Sequence, residues 1–403
     1  MPLKLLLQLS WRNLWRHRRR NGIMVLAIAL AVTGVMLMNT LMRGMAAEMR
    51  EAAIDNLTGH IKVIHPGYMA DPGIGRGFEP EQGWEQALAD VPVAGWAQRV
   101  RVPAVIMSER ETRGVQLVGV DPAREAISFL GSLSVDGEAL SGAEDRRIII
   151  GATLAEQLET SVGRRLVIMT QGADGLNREA GYRIAGTYDA DSNALEKVFV
   201  FTGAQTVARL LESPAVTEVS LRLESGDDIP LALAELGAVF EDLDVKAWQD
   251  LEPQVASMVL VADFGLYIMY FVIMGALVFG LVNALVTAVM ERVRELGMLR
   301  ALGMRPRSVV AQVVVESTLV MTAGVVAGLA LAVVCYLPFS GGIDLSAFSE
   351  TMQMMGVRNI FTPRLEVADM VIVFVLSLVL GVLASLYPAR RAVKVTPLDA
   401  MRR

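Results

Sequence analysis

The chain has 403 residues, 53% of them hydrophobic and 20% charged, with a mean hydropathy of +0.44. That balance is too apolar for an ordinary soluble enzyme and too charged for a chain made only of membrane spans, and a net charge of −6 argues against nucleic-acid binding. One cysteine, Cys335, excludes an internal disulfide, and with only His17, His60 and His65 besides it no metal site is expected.

Residues 1–22 open the chain with an amphipathic pattern. Leu3, Leu7, Trp11 and Leu14 fall on one helical face, and Lys4, Gln8, Arg12 and Arg16 fall on the other. With Trp11 and Trp15, this suits a helix lying in the inner membrane surface. A first span follows over 23–42 and ends at Arg43. It is too long for a signal-peptide core, so an uncleaved anchor is expected.

Residues 43–257 are enough for a folded domain of mixed α and β structure. His60–His65 alternates like a half-buried strand, and Val100–Met107 and Val115–Val120 are further strand candidates. A β-branched run at Arg147–Ile150 leads into a short helix at Ala152–Glu159 and a strand at Leu166–Met169. Thr170–Tyr182, rich in Gly, Asp and Asn, reads as a hairpin tip. The domain closes with a strand at Val219–Leu223, a helix at Pro230–Phe240 and a strand at Val245–Trp248. Pro230 suits a first helical position, and Asp227 and Asp228 stand where N-terminal caps belong.

A helical pattern starting near Leu251 leads into a stalk and second span at 258–290. A charged connection covers 291–308, a third span 309–339, a short loop 340–367, a fourth span 368–387 and a tail 388–403. The fold class expected is a membrane protein with four transmembrane α-helices and a large α+β domain inserted between the first and second.

Charge sets the expected orientation. Residues 1–22, 290–308 and 388–403 together hold 16 of the 37 Lys and Arg but only 3 of the 43 Asp and Glu. Positive flanks stay inside, so both termini and 291–308 are expected in the cytoplasm and the large domain in the periplasm.

Catalytic patterns are missing from the sequence. There is no H-E-x-x-H, no G-x-S-x-G and no G-x-x-x-x-G-K-[ST]. Asp189/Asp191 and Asp227/Asp228 read as turn and cap residues. A non-catalytic subunit is expected, and any ATP hydrolysis must come from another chain.

Within the membrane, Gln312 and Glu316 lie four apart on the third span, where a buried acid is costly and usually paired. Glu316 stands about three helical turns from Arg305 and Arg307, so an interfacial pair with an arginine is expected. Gly324 and Gly328 permit close helix packing, either between subunits or within one.

The segment Glu291–Gly303 carries an apolar stripe of Val289, Val293, Leu296 and Leu299, with Glu291, Arg292, Glu295 and Arg300 off it. It resembles the coupling region of the MacB/FtsX family of ABC-transporter permeases, E-R-x-R-E-[IL]-G-x-x-R-A-[LIM]-G. The matching positions are Glu291, Arg292, Arg294, Glu295, Gly297, Arg300, Ala301 and Gly303. The C-terminal Pro388, Ala389 and Arg390, with Pro397 to Arg402, resemble the family's ending, with Met401 in place of its Leu. Ile149–Gly151 with Leu154, Ala155, Val162 and Gly163 is similar to a motif of its outside domain, and Leu9–Arg20 to its first helix.

The resemblance implies a machine. Family members dimerise, with a second copy or a sister permease, and bind a pair of ABC ATPase subunits that supply ATP and Mg; no cofactor is implied on this chain itself. Nucleotide-driven motion reaches the outside domain through the coupling helix and stalk. In layout the chain is closest to the lipoprotein-releasing LolC/LolE branch, which implies extraction of lipoproteins or other lipophilic cargo from the inner membrane, with a periplasmic carrier or adaptor. A homodimeric efflux permease for a peptide or drug, and a transducer that activates a cell-wall hydrolase, are the alternatives.

Overall fold

In the computed structural model, the structure describes residues 18–190, 193–291, 304–344 and 360–394, with 8, 10, 12, 15, 16 and 298 besides. In chain order these form α1 (Arg18–Ala53), β1 (Ile61–Ile64), β2 (Val93–Met107), β3 (Thr112–Val120), β4 (Ser134–Gly137) and β5 (Arg147–Gly151). Then come α2 (Ala152–Gln157), β6 (Arg165–Gln171), β7 (Asn177–Asp189), α3 (Asn193–Val198), β8 (Phe199–Gly203), α4 (Ala204–Leu211) and β9 (Glu218–Leu223). Last are α5 (Ile229–Val239), β10 (Asp244–Ala247), α6 (Pro253–Glu291), α7 (Pro306–Tyr336) and α8 (Val367–Lys394). The chain divides into two compact units. One holds residues 1–46, 260–343 and 361–403; the other holds 47–259 and 344–360.

Among the described residues, four helical stretches are long and apolar enough to cross a membrane: Arg18–Thr58, Pro253–Gly280, Pro306–Phe339 and Val367–Tyr387. A span needs about 20 residues, so the 36-residue α1 far exceeds one. It does not end at Arg43, as the hydropathy suggests. Ala46, Ala47, Glu48 and Met49 are strong helix formers and carry it on after its apolar stretch is complete. Within the first unit Val32 and Met36 of α1, Met274 of α6, Met321 and Val325 of α7, and Val373 of α8 share one core. Of the N-terminal amphipathic segment, Gln8, Ser10, Arg12, Trp15 and Arg16 are helical; its apolar stripe lies outside the described residues. α8 runs on through Pro388 to Lys394.

The second unit is built on one ten-stranded sheet in the order β10-β1-β9-β2-β3-β8-β5-β7-β4, with β6 pairing β2 and β7. β3/β8 and β5/β7 are parallel, and the remaining pairs are antiparallel. The 15-residue β2 joins two halves. Up to Arg99 it pairs with β9; from Val100 it pairs with β3, and from Ala104 also with β6. Pro103, which has no N–H to donate, sits in the gap between the β9 and β6 pairings. One apolar core, including Ile61, Val219, Leu221, Leu236 and Trp248, backs the first half. Another, including Ile106, Leu117, Ile148, Ile150 and Ile168, backs the second.

Three local expectations change. β1 is buried on both faces rather than one: Ile61 and Val63 enter the core of the first half, while on the other face Ile64 packs with Tyr68 and Leu251 and Lys62 reaches the buried Glu218. The hairpin tip shrinks to residues 172–176, since β6 and β7 pair as far as Gln171 and Asn177. There the Asp174 carboxylate accepts from the Leu176 N–H at 3.1 Å, closing the turn locally. Asp228 occupies the N-cap of α5 without a side-chain cap bond; Ser225 instead accepts from the Asp227 N–H at 3.2 Å.

Candidate functional site

Glu291 is the last described residue of α6. The other residues of the expected coupling segment, Arg292, Arg294, Glu295, Gly297, Arg300, Ala301 and Gly303, lie outside the described residues, as does Pro397. Pro388, Ala389 and Arg390 fall in the last two turns of α8; Ala389 is fully buried against Val309 and Val313 of α7, and Arg390 is exposed. Gln312 is buried with its Oε1 unpaired. Glu316 is half-buried, while Arg305 and Arg307 are exposed.

Gly324 and Gly328 lie against α1 of the same chain. A Cβ at Gly324 would stand 2.7 Å from the Ile28 Cβ, and one at Gly328 would stand 2.7 Å from the Ala29 carbonyl oxygen. Thr33 Oγ1 donates to the Gly328 carbonyl at 3.0 Å. The two glycines therefore serve packing within one subunit, with backbone approaching backbone as small residues in membrane helices allow.

An ion pair ties α1 to α8. Arg43 donates through Nε and Nη2 to both Asp369 oxygens, the second at 2.7 Å, and its Nη1 lies 3.4 Å from Glu366. Asp369 is 1% exposed, so this forked pair is what makes its charge tolerable among apolar helices.

The second unit carries a buried charge network at the seam where β2 changes partners. Arg99 and Glu218 face each other across β2 and β9, and both are fully buried. Arg99 donates from Nε and Nη2 to the Glu125 carboxylate at 2.7 and 2.8 Å. Its Nη1 donates to the Leu57 carbonyl at 2.8 Å, to Ser220 Oγ at 3.0 Å and to Glu218 at 3.3 Å. Lys62 Nζ donates to the other Glu218 oxygen at 3.0 Å, and Ser128 Oγ donates to Glu125 at 2.7 Å.

The charges in this network balance. Burial alone would raise the Glu218 carboxyl, but Lys62, Arg99 and Arg101 overcome it and hold the group below the usual carboxylate range. Burial pushes the Lys62 ammonium down, against the pull of Glu218. Arg99, opposed by burial, is held up by Glu125 and Glu218. Buried charges persist only when paired and hydrogen-bonded, and each of these is.

The network also grips the chain where it leaves α1. Leu57, a buried non-glycine residue, holds a positive φ of 59°, a strained conformation for a branched side chain. Its carbonyl is fixed by Arg99 and, at 3.1 Å, by Ser220 Oγ. Two residues on, Gly59 has φ +70°, and a Cβ there would stand 2.6 Å from the Leu221 carbonyl oxygen, so only glycine fits. Arg222 of β9 pairs with Glu51 at 2.9 Å and with Asp55. His60 Nδ1 accepts from the Leu223 N–H at 3.1 Å, which places its proton on Nε2. None of this was visible in the sequence. The only signal was two charged residues, Arg99 and Lys62, inside otherwise strand-like runs.

Two family models match the chain. Residues 22–239 match the MacB-like periplasmic core domain, and residues 267–397 match the FtsX-like permease C-terminal. The chain belongs to the MacB/FtsX family of ABC-transporter permeases. It is 24% identical over 412 residues to the lipoprotein-releasing system transmembrane protein LolC of Xylella fastidiosa, covering 96% of each chain. It is 23% identical over 430 residues to the macrolide export ATP-binding/permease protein MacB of Bdellovibrio bacteriovorus, covering 98% of this chain and 61% of that one. The extracellular domain of the transporter YknZ from Gram-positive bacteria aligns with 46% of this chain and 98% of its own, at 16% identity and a TM-score of 0.34. The permease is thus a membrane subunit of the family's inner-membrane type, with a periplasmic core domain inserted after its first span.

Proposed function

We propose that this permease couples ATP hydrolysis on separate ATPase chains to motion of its periplasmic domain, and that the work extracts lipoproteins or other lipophilic cargo from the inner membrane. The carrying observation is the alignment over 96% of both chains with LolC, a lipoprotein-releasing system transmembrane protein. No G-x-x-x-x-G-K-[ST] occurs in the sequence, which supports a separate ATPase as the holder of ATP and Mg. The charge asymmetry of the flanks supports cytoplasmic termini and a cytoplasmic 291–308 segment, where the ATPase would dock. Phe264, Tyr267, Phe271 and Phe279 form a highly exposed face of α6, which supports contact with lipid or with a second permease. A carrier or adaptor in the periplasm would complete the route.

The MacB alignment favours a second reading, a homodimeric efflux permease. Purification of the tagged chain from membranes in mild detergent distinguishes them. An ATPase plus a second, different permease supports lipoprotein release. An ATPase with this chain alone supports the homodimeric reading. Absence of any ATPase overturns both.

A further inference from the structure

The periplasmic domain holds a cavity of about 240 Å³ lined by both polar and apolar groups. Its walls come from the exit of α1 (Asn56, Thr58), from β1 (Lys62), from Tyr68, from β2 (Arg101), from β8 (Phe199) and from Glu252, just ahead of α6. We propose that this cavity binds a small zwitterion of the amino-acid type, its carboxylate on Lys62 and Arg101 and its ammonium on Asn56 and Glu252.

Unused hydrogen-bonding capacity carries the argument. Lys62 has three N–H donors and spends one on Glu218, although its side chain is only 7% exposed. Arg101 has five donors, and among the described residues no carboxylate lies within ion-pair distance of it. Its guanidinium rests instead on the Phe199 ring, 5.0 Å from the centroid. That contact uses the cation's flat face and leaves its N–H edge free. The strand holding Arg101 is pinned on both sides. Its N–H donates to Thr217 Oγ1 at 2.7 Å, and its carbonyl accepts from the Tyr68 hydroxyl at 2.7 Å. Asn56 Oδ1 is buried and has no hydrogen-bond partner, an orphan acceptor of the kind native proteins seldom leave.

Charge selects the ligand. Of the two carboxylates in the wall, Glu218 and Glu252, Glu218 is already paired with Lys62 and Arg99; Arg101 forms no ion pair among the described residues, and Glu252 is the carboxylate left to a ligand. A simple anion would satisfy Arg101 and leave Asn56 and Glu252 unanswered. A simple cation would do the reverse. A molecule carrying both groups answers all four, and Ile64, Met69, Pro72 and Leu251 of the same wall offer apolar surface to its side chain. The volume suits a single amino acid rather than a drug-sized ligand, for which pockets of about 300–1,000 Å³ are usual.

The test is calorimetric titration of the full-length permease in detergent with L-alanine, L-leucine and L-glutamate. N-acetyl-leucine, which lacks the ammonium, and leucinamide, which lacks the carboxylate, serve as comparisons. At least one amino acid should bind saturably, with leucine at least tenfold tighter than either analogue if leucine is the binder. Arg101→Gln should weaken amino-acid binding at least tenfold; because Arg101 also helps hold the buried Glu218 charged and rests on Phe199, the fold of the variant is checked by its melting temperature, and Arg101→Lys, which keeps the charge, should recover part of the binding. Glu252→Gln, on the rim, should weaken amino-acid binding but spare any residual binding of N-acetyl-leucine. No binding by any of the three amino acids overturns the proposal. So does equal binding of leucine and both analogues, or full affinity in both Gln variants.

Discussion

The Arg99 guanidinium donates to the backbone carbonyl of Leu57 at 2.8 Å, and Leu57 is held at φ 59°. A strained backbone persists only where its surroundings over-determine it. Here a fully buried arginine, itself fixed by Glu125 and Glu218, does so. The chain's exit from its first helix is therefore set by a side chain of β2, at the strand position where the two halves of the sheet meet.

Replacement of Arg99 should be costly. Arg99→Met would leave Glu125 buried without its ion-pair partner and Glu218 with Lys62 alone. Removing one partner of a buried ion pair typically costs about 3–5 kcal/mol. Arg99→Lys keeps the charge but loses the two-pronged bond to Glu125, so an intermediate loss is expected. Thermal unfolding of the purified permease orders the three proteins; a melting temperature for Arg99→Met equal to that of the wild type would remove the network from the stability of the domain.

His60 gives the domain a pH response. Burial, reinforced by Arg222 and opposed by Glu51 and Asp55, lowers its pKa from the ordinary 6.5. As pH falls through about 6.5 the unfolded chain takes up a proton that the native state refuses. The unfolded state then binds more protons, so stability drops with falling pH until the native pKa is reached. The melting temperature should be lower at pH 5.5 than at pH 7.5, and His60→Asn, whose Oδ1 can accept from Leu223, should flatten that slope. An unchanged slope in the variant would assign the response to other groups.

How legible was all this? The strand at Arg147–Ile150 announced itself through a β-branched run, and the membrane helices through length and apolarity. Lys62 falls on what alternation reads as the polar face of a half-buried strand, because alternation alone cannot tell that Tyr68, Leu251 and Glu218 lie over that face. The buried network was hidden for a related reason: its partners lie 26 to 156 positions apart, and only the sheet register brings them together. Arg43 read as the end of a span because a lone arginine after an apolar run normally marks the interface; its partner Asp369 lies 326 positions away. Hydropathy likewise missed the continuation of α1, since helix-forming residues need not be apolar.

Arg43 and Asp369 should behave as a unit. Asp369→Ala leaves a half-buried arginine with Glu366, 3.4 Å away, as its remaining carboxylate, and a loss of about 1–3 kcal/mol is expected. The exchanged pair Arg43→Asp with Asp369→Arg should recover part of it. The check is the half-life of the detergent-solubilised permease at a fixed raised temperature. Recovery absent in the double variant would mean that geometry, not charge complementarity, sets this contact.

Gly328 should tolerate no side chain. Its Cβ position lies 2.7 Å from the Ala29 carbonyl oxygen and 2.8 Å from the Val32 Cβ, so Gly328→Val must push α7 away from α1 and break the Thr33 bond. Overpacking of this kind costs about 1–3 kcal/mol. The melting temperature should fall by the same amount whether or not a second permease is present, because the contact is internal to one chain. A loss seen only in the assembled complex would instead assign the glycine to an interface between subunits.

The coupling segment is the place where the proposed mechanism is most exposed to test. Glu291 is the last described residue of α6, and Glu295 stands four residues further in the sequence, a spacing that on a helix puts both carboxylates on one face. If that face docks an ATPase, Glu291→Lys or Glu295→Lys would set a like charge against whatever basic groups receive it and weaken association through repulsion as well as lost attraction. Neither substitution touches the core of the periplasmic domain, so the melting temperature of the purified permease should hold while ATPase co-purification drops several-fold. Raised salt should weaken the wild-type complex and narrow its difference from the variants, as screening requires of exposed charges. Undiminished co-purification of both variants at low salt would take this segment out of the mechanism.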